Sequence, residues 1–171
     1  MEEFSIRDAT PADCGDILKF IIKLAVYENE PESRVKVTRE QLIRDGFESE
    51  KPWFNCIVAE VKSPDANKAK IIGFALFFPT YSTWDGPTIK VDDLYIQPEY
   101  RRSGCAMRMV ERIIEKALSQ NCRRLQWIVL DWNEPAINMY KKMGADIQSN
   151  WKVCFLYESE MKFLVKRKAK L

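Results

Sequence analysis

The chain has 171 residues, of which 46% are hydrophobic and 30% charged, and this length and composition predict a single globular domain spanning residues 1–171. The absence of histidine excludes serine–histidine and cysteine–histidine hydrolases. The net charge of +2 combines a mildly acidic body with a basic carboxyl terminus, where the last ten residues carry five basic side chains and no acidic one. We assign that terminus no binding function.

The five cysteines are scattered along the chain and form no C-x-x-C pair. Without histidine or paired cysteines a zinc site lacks its usual ligands, so we expect no metal centre. The odd number of cysteines and the polar start, Met1-Glu2-Glu3, predict free thiols and a cytoplasmic location. No stretch is long and apolar enough to span a membrane, and we expect neither a membrane nor a nucleic acid as a partner.

Strand and helix periods alternate through the first hundred residues. Thr10-Pro11-Ala12-Asp13 combines a helix cap, a first-turn proline and a capping-box acid, and the helix that follows is predicted to end near Tyr27. A second helix is predicted from Thr38, with Gly46 as its stop. Strands are predicted at 4–7, 54–61, 71–78 and 88–96, and the polar turn at 63–67 joins the second and third as an antiparallel pair.

The same alternation continues to the carboxyl terminus. The predicted elements are a helix over 107–118, a strand over 125–130, a helix from Asn133 to Met143 that Gly144 ends, a strand over 151–157 and a basic terminal helix. Hairpins followed by a β-α-β unit predict an α/β (α+β) fold, in which helices cover a mixed sheet.

A turn from Arg101 to Ala106 connects a predicted strand to a predicted helix. Backbone N–H groups at such a turn point outward, with the positive end of the helix dipole behind them, which suits a pyrophosphate. Gly104 and Ala106 let phosphate oxygens approach the backbone, and Arg101 and Arg102 add positive charge. An ordinary strand-to-helix turn has the same pattern, so this segment alone leaves both interpretations open.

Two motifs together carry a family resemblance. The turn Arg101-Arg102-Ser103-Gly104-Cys105-Ala106 fits the pattern R-x-x-G-x-A, and the later segment 129–145 places Asn133, Ala136 and Tyr140 before Gly144-Ala145. In this order the motifs resemble those of the Gcn5-related N-acetyltransferase (GNAT) family, over nearly the whole chain. The likeness is strongest to the spermidine/spermine (diamine) and thialysine N-acetyltransferase group, on the thialysine side. It implies a mixed, mostly antiparallel central sheet flanked by helices, and a homodimer.

The resemblance implies that an acetyl group passes from acetyl-CoA to a primary amine by direct attack in a ternary complex, without a metal. It also implies which residues bind acetyl-CoA. They are Leu94, Tyr95, Ile96, Arg101, Arg102, Ser103, Gly104, Cys105, Ala106, Met107, Asn133, Glu134, Pro135, Ala136 and Tyr140.

Two catalytic side chains are implied by the same resemblance. Tyr140 matches the general acid that protonates the departing thiolate, although its helical spacing alone would make it a core aromatic. Asp92 matches the carboxylate that accepts the amine proton through water, and a purely electrostatic role for it stays open. A backbone N–H near Leu94 is expected to hold the oxyanion. Asp92 and Asp93 face opposite sides of a regular strand, unless the bulge found in the family re-aims one of them.

The implied substrate site consists of Tyr27, Glu28, Trp84, Asp92, Asp93, Gln126, Trp127 and Ile128. Ser82 replaces an acid of the polyamine branch, and residues 146–151 lack that branch's acidic pair. Each missing carboxylate removes about 1 kcal/mol of attraction for a distal cation in a semi-exposed groove. We therefore expect a small cationic amine, such as thialysine, another lysine analogue or a short diamine, rather than spermine. A protein or peptide N-acetyltransferase and a non-catalytic acyl-CoA-binding module remain as alternatives.

Overall fold

A mixed sheet forms the centre of residues 1–130, the first of two compact units, and residues 131–171 form the second. The computed structural model describes residues 3–62 and 69–168, so the turn predicted at 63–67 lies outside the described residues. In the described part the sheet has five strands in the order β1-β2-β3-β4-β5, antiparallel except for the parallel pair β4–β5. Their bounds are Phe4–Asp8 (β1), Asn55–Val61 (β2), Lys70–Ser82 (β3), Gly86–Ile96 (β4) and Arg124–Gln126 (β5).

Helices cover both faces of this sheet. Helix α1 begins after the predicted capping segment, whose Thr10 and Asp13 close a capping box. The predicted helices and the mostly antiparallel mixed sheet are thereby confirmed. The helix bounds are Cys14–Tyr27 (α1), Arg39–Ile43 (α2), Cys105–Ser119 (α3), Glu134–Lys142 (α4) and Glu158–Lys168 (α5), with short 3-10 turns at Pro11–Asp13, Glu32–Arg34 and Pro98–Tyr100.

Gly46 does not end the second helix, contrary to the sequence prediction. A π-helical turn over Arg44–Glu48 continues α2 through it. A Cβ at this position would lie 2.4 Å from a ring carbon of Phe54. Glycine is therefore needed here for close packing against an aromatic ring rather than for a helix cap.

Two strand predictions near the end of the chain are wrong, one altogether and one in its extent. Residues 151–157 form neither a helix nor a strand and are exposed, and β5 ends at Gln126 rather than near Leu130. An alternating pattern gives a segment the capacity to form a strand, but a strand forms only where a neighbouring backbone offers its N–H and C=O groups.

The apolar core of the first unit has two layers, one on each face of the sheet. On one face α3 contributes Met109 and Ile113 to a cluster that includes Ile89 and Val91 of β4. On the other face α1 contributes Ile17 and Phe20. We call these layers the α3 core and the α1 core. Phe20 stacks on Tyr95 of β4 with ring centroids 5.4 Å apart.

A partly buried ion pair joins β1 to the start of α1. Arg7 donates from Nη1 and Nη2 to the Asp13 carboxylate at 2.7 and 2.9 Å, and its Nε donates to Glu60 at 2.8 Å. Asp13 is 7% exposed. Burial opposes its ionisation, but hydrogen bonds from Arg7 and Thr10 outweigh burial and lower the pKa of Asp13 below its usual value.

Replacing Asp13 tests this cluster. Asp13→Asn is expected to lower the free energy of unfolding by about 2 kcal/mol at pH 7, because it leaves Arg7 without its main partner. Since the folded-state pKa of Asp13 is depressed, its contribution is present above pH 4 and is lost as the pH falls through that lowered value.

Urea unfolding at pH 7 and pH 3 measures both effects. Asp16→Asn is the matched control, because Asp16 forms an exposed pair with Lys19 at 2.9 Å and its loss should cost only about 0.3 kcal/mol. An equal deficit of Asp13→Asn at the two pH values would contradict this account.

Candidate active site

Strand β4 contains a β-bulge at Asp92. On β3, Leu76 stands opposite Asp93 and Phe77 stands opposite Val91, so that Asp92 is an extra residue in the ladder. Such an insertion interrupts the alternation by which successive side chains point to opposite faces.

The bulge turns both acids toward the α1 face of the sheet. Val91 and Leu94 both pack with the α3 core, so two residues rather than one separate them. Tyr95, the next residue, packs in the α1 core. Asp92 and Asp93 therefore lie side by side on one face. Regular alternation would have placed them on opposite faces, whereas the bulge implied by the family resemblance allows this arrangement.

The two carboxylates have different surroundings. Asp92 is 48% exposed and accepts a hydrogen bond from Lys90 Nζ at 2.8 Å. Asp93 is half-buried, and no described residue donates a hydrogen bond to its carboxylate. Burial, followed by the negative charges of Asp92 and Glu28, raises the pKa of Asp93 to about 7, against an opposing effect of Lys90.

Glu28 follows directly after α1 and brings a third acid to the site. Desolvation and the neighbouring Glu30 raise the pKa of Glu28. The structure thus brings together Glu28, Asp92 and Asp93 from the predicted substrate set. A substrate ammonium placed here would relieve the repulsion among them.

The turn between β4 and α3 has an exposed, open backbone with two residues at positive φ. Gly104 has φ +87° and Arg102 has φ +59°, and a Cβ at Gly104 would meet nothing within 4 Å. Ser103 Oγ donates to the Tyr100 carbonyl at 2.7 Å. The open backbone before the first turn of α3, with the N–H groups of Ala106 and Met107 inside that turn, fits the pyrophosphate of an acyl-CoA.

The Arg101 side chain contacts a backbone carbonyl and two aromatic rings, so phosphate binding is not its only available role. Its Nε donates to the Ile96 carbonyl at 3.0 Å, and its guanidinium carbon lies 4.9 Å from the Tyr27 ring centroid and 5.7 Å from that of Tyr95. These are cation–π distances. The predicted cofactor residues Arg101 and Tyr95 thus meet the predicted substrate residue Tyr27.

A cavity of about 330 Å³ lies where α1 approaches the end of β4. Five of its residues lie outside the predicted site. Ile22, Lys23 and Val26 share one face of α1 with Tyr27, whereas nothing in the sequence indicated a site role for Glu32 or Pro98. The cavity is lined by Ile22, Lys23, Val26, Tyr27, Glu32, Tyr95, Pro98 and Arg101.

The edge of β4 beside β5 is open over much of its length. The parallel ladder joins only Thr88–Lys90 of β4 to Arg124–Gln126 of β5. Within the described part of the chain, no strand pairs with this edge of β4 at Leu94 or Ile96. Backbone groups there are available to an extended ligand, which fits the acyl-CoA role predicted for residues 94–96.

The remaining predicted substrate residues of the first unit differ in their exposure and contacts. Trp127 packs against the α3 core, whereas Gln126 and Ile128 are exposed. Trp84 is 79% exposed in the β3–β4 hairpin. Ser82, the departure from the polyamine pattern, holds that hairpin, because its hydroxyl accepts the Trp84 N–H at 3.1 Å.

The second unit contains the remaining predicted residues. Asn133 caps α4 by accepting the Ala136 N–H at 3.4 Å, and Pro135 occupies the first turn after Glu134. Tyr140, two turns along α4, is half-buried, and burial raises its pKa. A phenol with a raised pKa keeps its proton at neutral pH, as a general acid must.

Comparison with known proteins identifies the family. A model described as the acetyltransferase (GNAT) family matches residues 22–145. The chain belongs to this family. It is 38% identical over 159 residues to a thialysine N-epsilon-acetyltransferase of Bos taurus, covering 91% of this chain and 92% of that protein. The Mus musculus protein of the same name is 37% identical over 164 residues, covering 94% and 95% of the two chains.

Solved structures show the same GNAT fold. An integron cassette protein from the mobile metagenome of V. cholerae superposes with a TM-score of 0.71 at 20% identity, covering 95% of this chain and 98% of that one. Membership of the GNAT family implies an acyl-CoA donor. Across residues 3–62 and 69–168, no helix is long and apolar enough to cross a membrane, and no three acidic, cysteine or histidine residues cluster as metal ligands.

The predicted binding of CoA at the turn between β4 and α3 is testable at Gly104. Gly104→Ala is expected to destabilise the protein by about 1 kcal/mol, because alanine is strained at positive φ, and to weaken CoA binding as the backbone of the turn shifts. Thermal unfolding and calorimetric titration with CoA measure the two effects.

Gly86→Ala is the matched control, since Gly86 has φ +85° and equally open surroundings but lies in the β3–β4 hairpin. It should lose similar stability while binding CoA normally. Equal CoA affinities of the two variants would contradict the assignment of the turn.

Proposed function

We propose that this protein transfers the acetyl group of acetyl-CoA to a primary amine of a small cationic substrate, a thialysine-like amino acid or a short diamine. The observation that carries the proposal is the pair of carboxylates at the β4 bulge, with Glu28 beside them. Three neighbouring acids in a partly desolvated site favour an ammonium group. The names of the Bos taurus and Mus musculus relatives support the same substrate class.

Residues of this chain supply each part of the proposed reaction. A carboxylate of the bulge takes the amine proton, and a backbone N–H near Leu94 stabilises the oxyanion. Tyr140, which matches the family's general acid, protonates the departing thiolate. Acetyl-CoA, when bound, supplies the thioester, and no metal is required.

The proposal extends to the domain organisation, oligomeric state and location of the protein. A single N-acetyltransferase domain is supported by the family match, which runs across the boundary between the two units. We further propose a cytoplasmic homodimer without nucleic-acid or membrane partners. Four of the five cysteines are buried, which suits thiols in a reducing compartment.

Substrate size is testable with a panel of amines. Thialysine or putrescine is expected to exceed spermine in kcat/KM by about a hundredfold, from about 1 kcal/mol for each of the three carboxylates of the polyamine branch that this chain lacks. Steady-state rates at pH 7.5 with saturating acetyl-CoA measure this ratio.

Two results would contradict the proposal. A preference for spermine would overturn the choice of a small amine. Acetylation of a peptide amine but of no free amine would favour a protein acetyltransferase.

The role of Tyr140 is testable by removal of its hydroxyl. Tyr140→Phe is expected to lower kcat about a hundredfold, the usual contribution of a general acid, while acetyl-CoA binding is retained. Tyr81→Phe is the control, because Tyr81 lies on β3 outside the predicted site and is 75% exposed.

Rapid-quench kinetics and calorimetry measure turnover and binding. Unchanged turnover of Tyr140→Phe would remove Tyr140 from the mechanism. Binding of acetyl-CoA by a wild-type protein that turns over no amine would indicate an acyl-CoA-binding module instead.

A further inference from the structure

We infer that Asp93, rather than Asp92, is the catalytic residue that accepts the proton of the substrate ammonium, and that Asp92 acts as its electrostatic partner. This inference rests on the proposed function and assigns the proton acceptor within that site. It follows from the different surroundings of two acids that the bulge places side by side.

Asp92 is already engaged by a cation. Lys90 Nζ lies 2.8 Å from its Oδ1, and Lys90 also sits 5.4 Å from the Phe78 ring centroid, which fixes the ammonium on this face. A base in this position would have to give up its ion pair before it could accept a proton from a second ammonium. Its exposure also places it in solvent rather than in a closed site.

Asp93 has the opposite character. It is half-buried on the α1 face, and no hydrogen-bond donor among the described residues satisfies its carboxylate. An incoming ammonium would therefore be its first donor. A carboxylate in this state binds the cation and can then take its proton directly, without an intervening water.

The charged groups around Asp93 lie on β4 and just after α1, and a neutral thiol lies on β2. On β4, Asp92 repels a charge on Asp93 and Lys90 attracts it; beyond α1, Glu28 repels it. On β2, the thiol of Cys56 lies within its field, and the pKa of that thiol is raised by burial and then by Cys14, Asp13 and Asp93. Acids therefore outnumber the single cation.

Burial, followed by this excess of negative charge, raises the pKa of Asp93 to about 7. An alkyl ammonium has a pKa near 10.4 and an ordinary aspartate one near 3.9, so the shift makes proton transfer about a thousandfold less unfavourable. A base poised near the working pH is the arrangement that general base catalysis favours.

The protons balance across the reaction. One leaves the ammonium nitrogen for an Asp93 carboxylate oxygen and then passes to solvent. As the nitrogen attacks the thioester carbonyl, the N–C bond forms and the C–S bond breaks. The nitrogen loses a second proton to solvent, and Tyr140 delivers one to the departing sulfur and is reprotonated, leaving an amide, a thiol and one released proton.

The test is the pH dependence of kcat/KM in the variants Asp93→Asn and Asp92→Asn, with the best amine of the panel. The wild type is expected to lose activity below about pH 7. We call this fall in kcat/KM at low pH the acidic limb. Asp93→Asn should lose more than about a hundredfold in kcat and should lose the acidic limb. Asp92→Asn should retain the limb, shifted to lower pH, with a raised KM.

Two further variants move the limb in opposite directions without touching either aspartate. Glu28→Gln removes a negative charge and should shift the limb to lower pH, whereas Lys90→Met removes the cation and should shift it to higher pH. A role of Asp93 in folding alone would produce neither shift. Asp16→Asn, in an exposed pair on α1, is the control and should leave the profile unchanged.

The fold of Asp93→Asn is checked by thermal unfolding. Because the folded-state pKa of Asp93 is raised, the stability linked to its protonation is present at low pH and is lost as the pH rises through about 7. Asp93→Asn should therefore unfold at a higher temperature than the wild type at pH 8.5 and at a similar temperature at pH 4, near the pKa of an aspartate in the unfolded chain.

The outcomes separate this inference from the proposed function. Loss of the acidic limb in Asp92→Asn, with the limb kept in Asp93→Asn, would make Asp92 the base and overturn the inference. A limb kept in both variants would overturn it too. A wild-type protein that acetylates no amine would refute the proposed function before either aspartate is tested.

Discussion

One extra residue in β4 determines how the site is built. Without the bulge at Asp92, regular alternation from Val91 would place Asp93 in the α3 core, where burying an unpaired carboxylate costs several kcal/mol. With the bulge, Leu94 and Ile96 fill that core and both acids move to the α1 face. Core packing and the chemistry of the site are therefore satisfied by the same irregularity.

The elements around the bulge hold this face of the sheet in place. Tyr95 stacks on Phe20 of α1 and also lies beneath the Arg101 guanidinium, so the end of β4, the helix and the turn toward α3 share contacts. Arg7 and Asp13 fix the start of α1 to β1, while Glu28 follows its other end. Helix α1, held at its start by this ion pair, thus places Glu28 near the acids of β4.

Much of this arrangement is predictable from sequence where local chemistry decides it. The capping box before α1 and the order of strands and helices follow from residue types that act within a few positions. The face of Trp127, the continuation of α2 through Gly46 and the missing strand at 151–157 depend on partners distant in sequence, such as Phe54. The bulge cannot be predicted from the residue pattern of β4, because that pattern allows Asp93 on either face of the sheet. Only the resemblance to GNAT proteins indicated a bulge.

The chemistry of the site depends most directly on the ionisation of a single carboxyl group, that of Asp93. Carbon-13 NMR of the Asp93 side chain, assigned by comparison with Asp93→Asn and followed from pH 4 to pH 9, measures its titration in the free protein. A midpoint near 7 is predicted from its burial and from the charges of Asp92 and Glu28. A midpoint near 4, the value of an aspartate in solvent, would contradict the claim that the bulge places Asp93 in a desolvated acidic site.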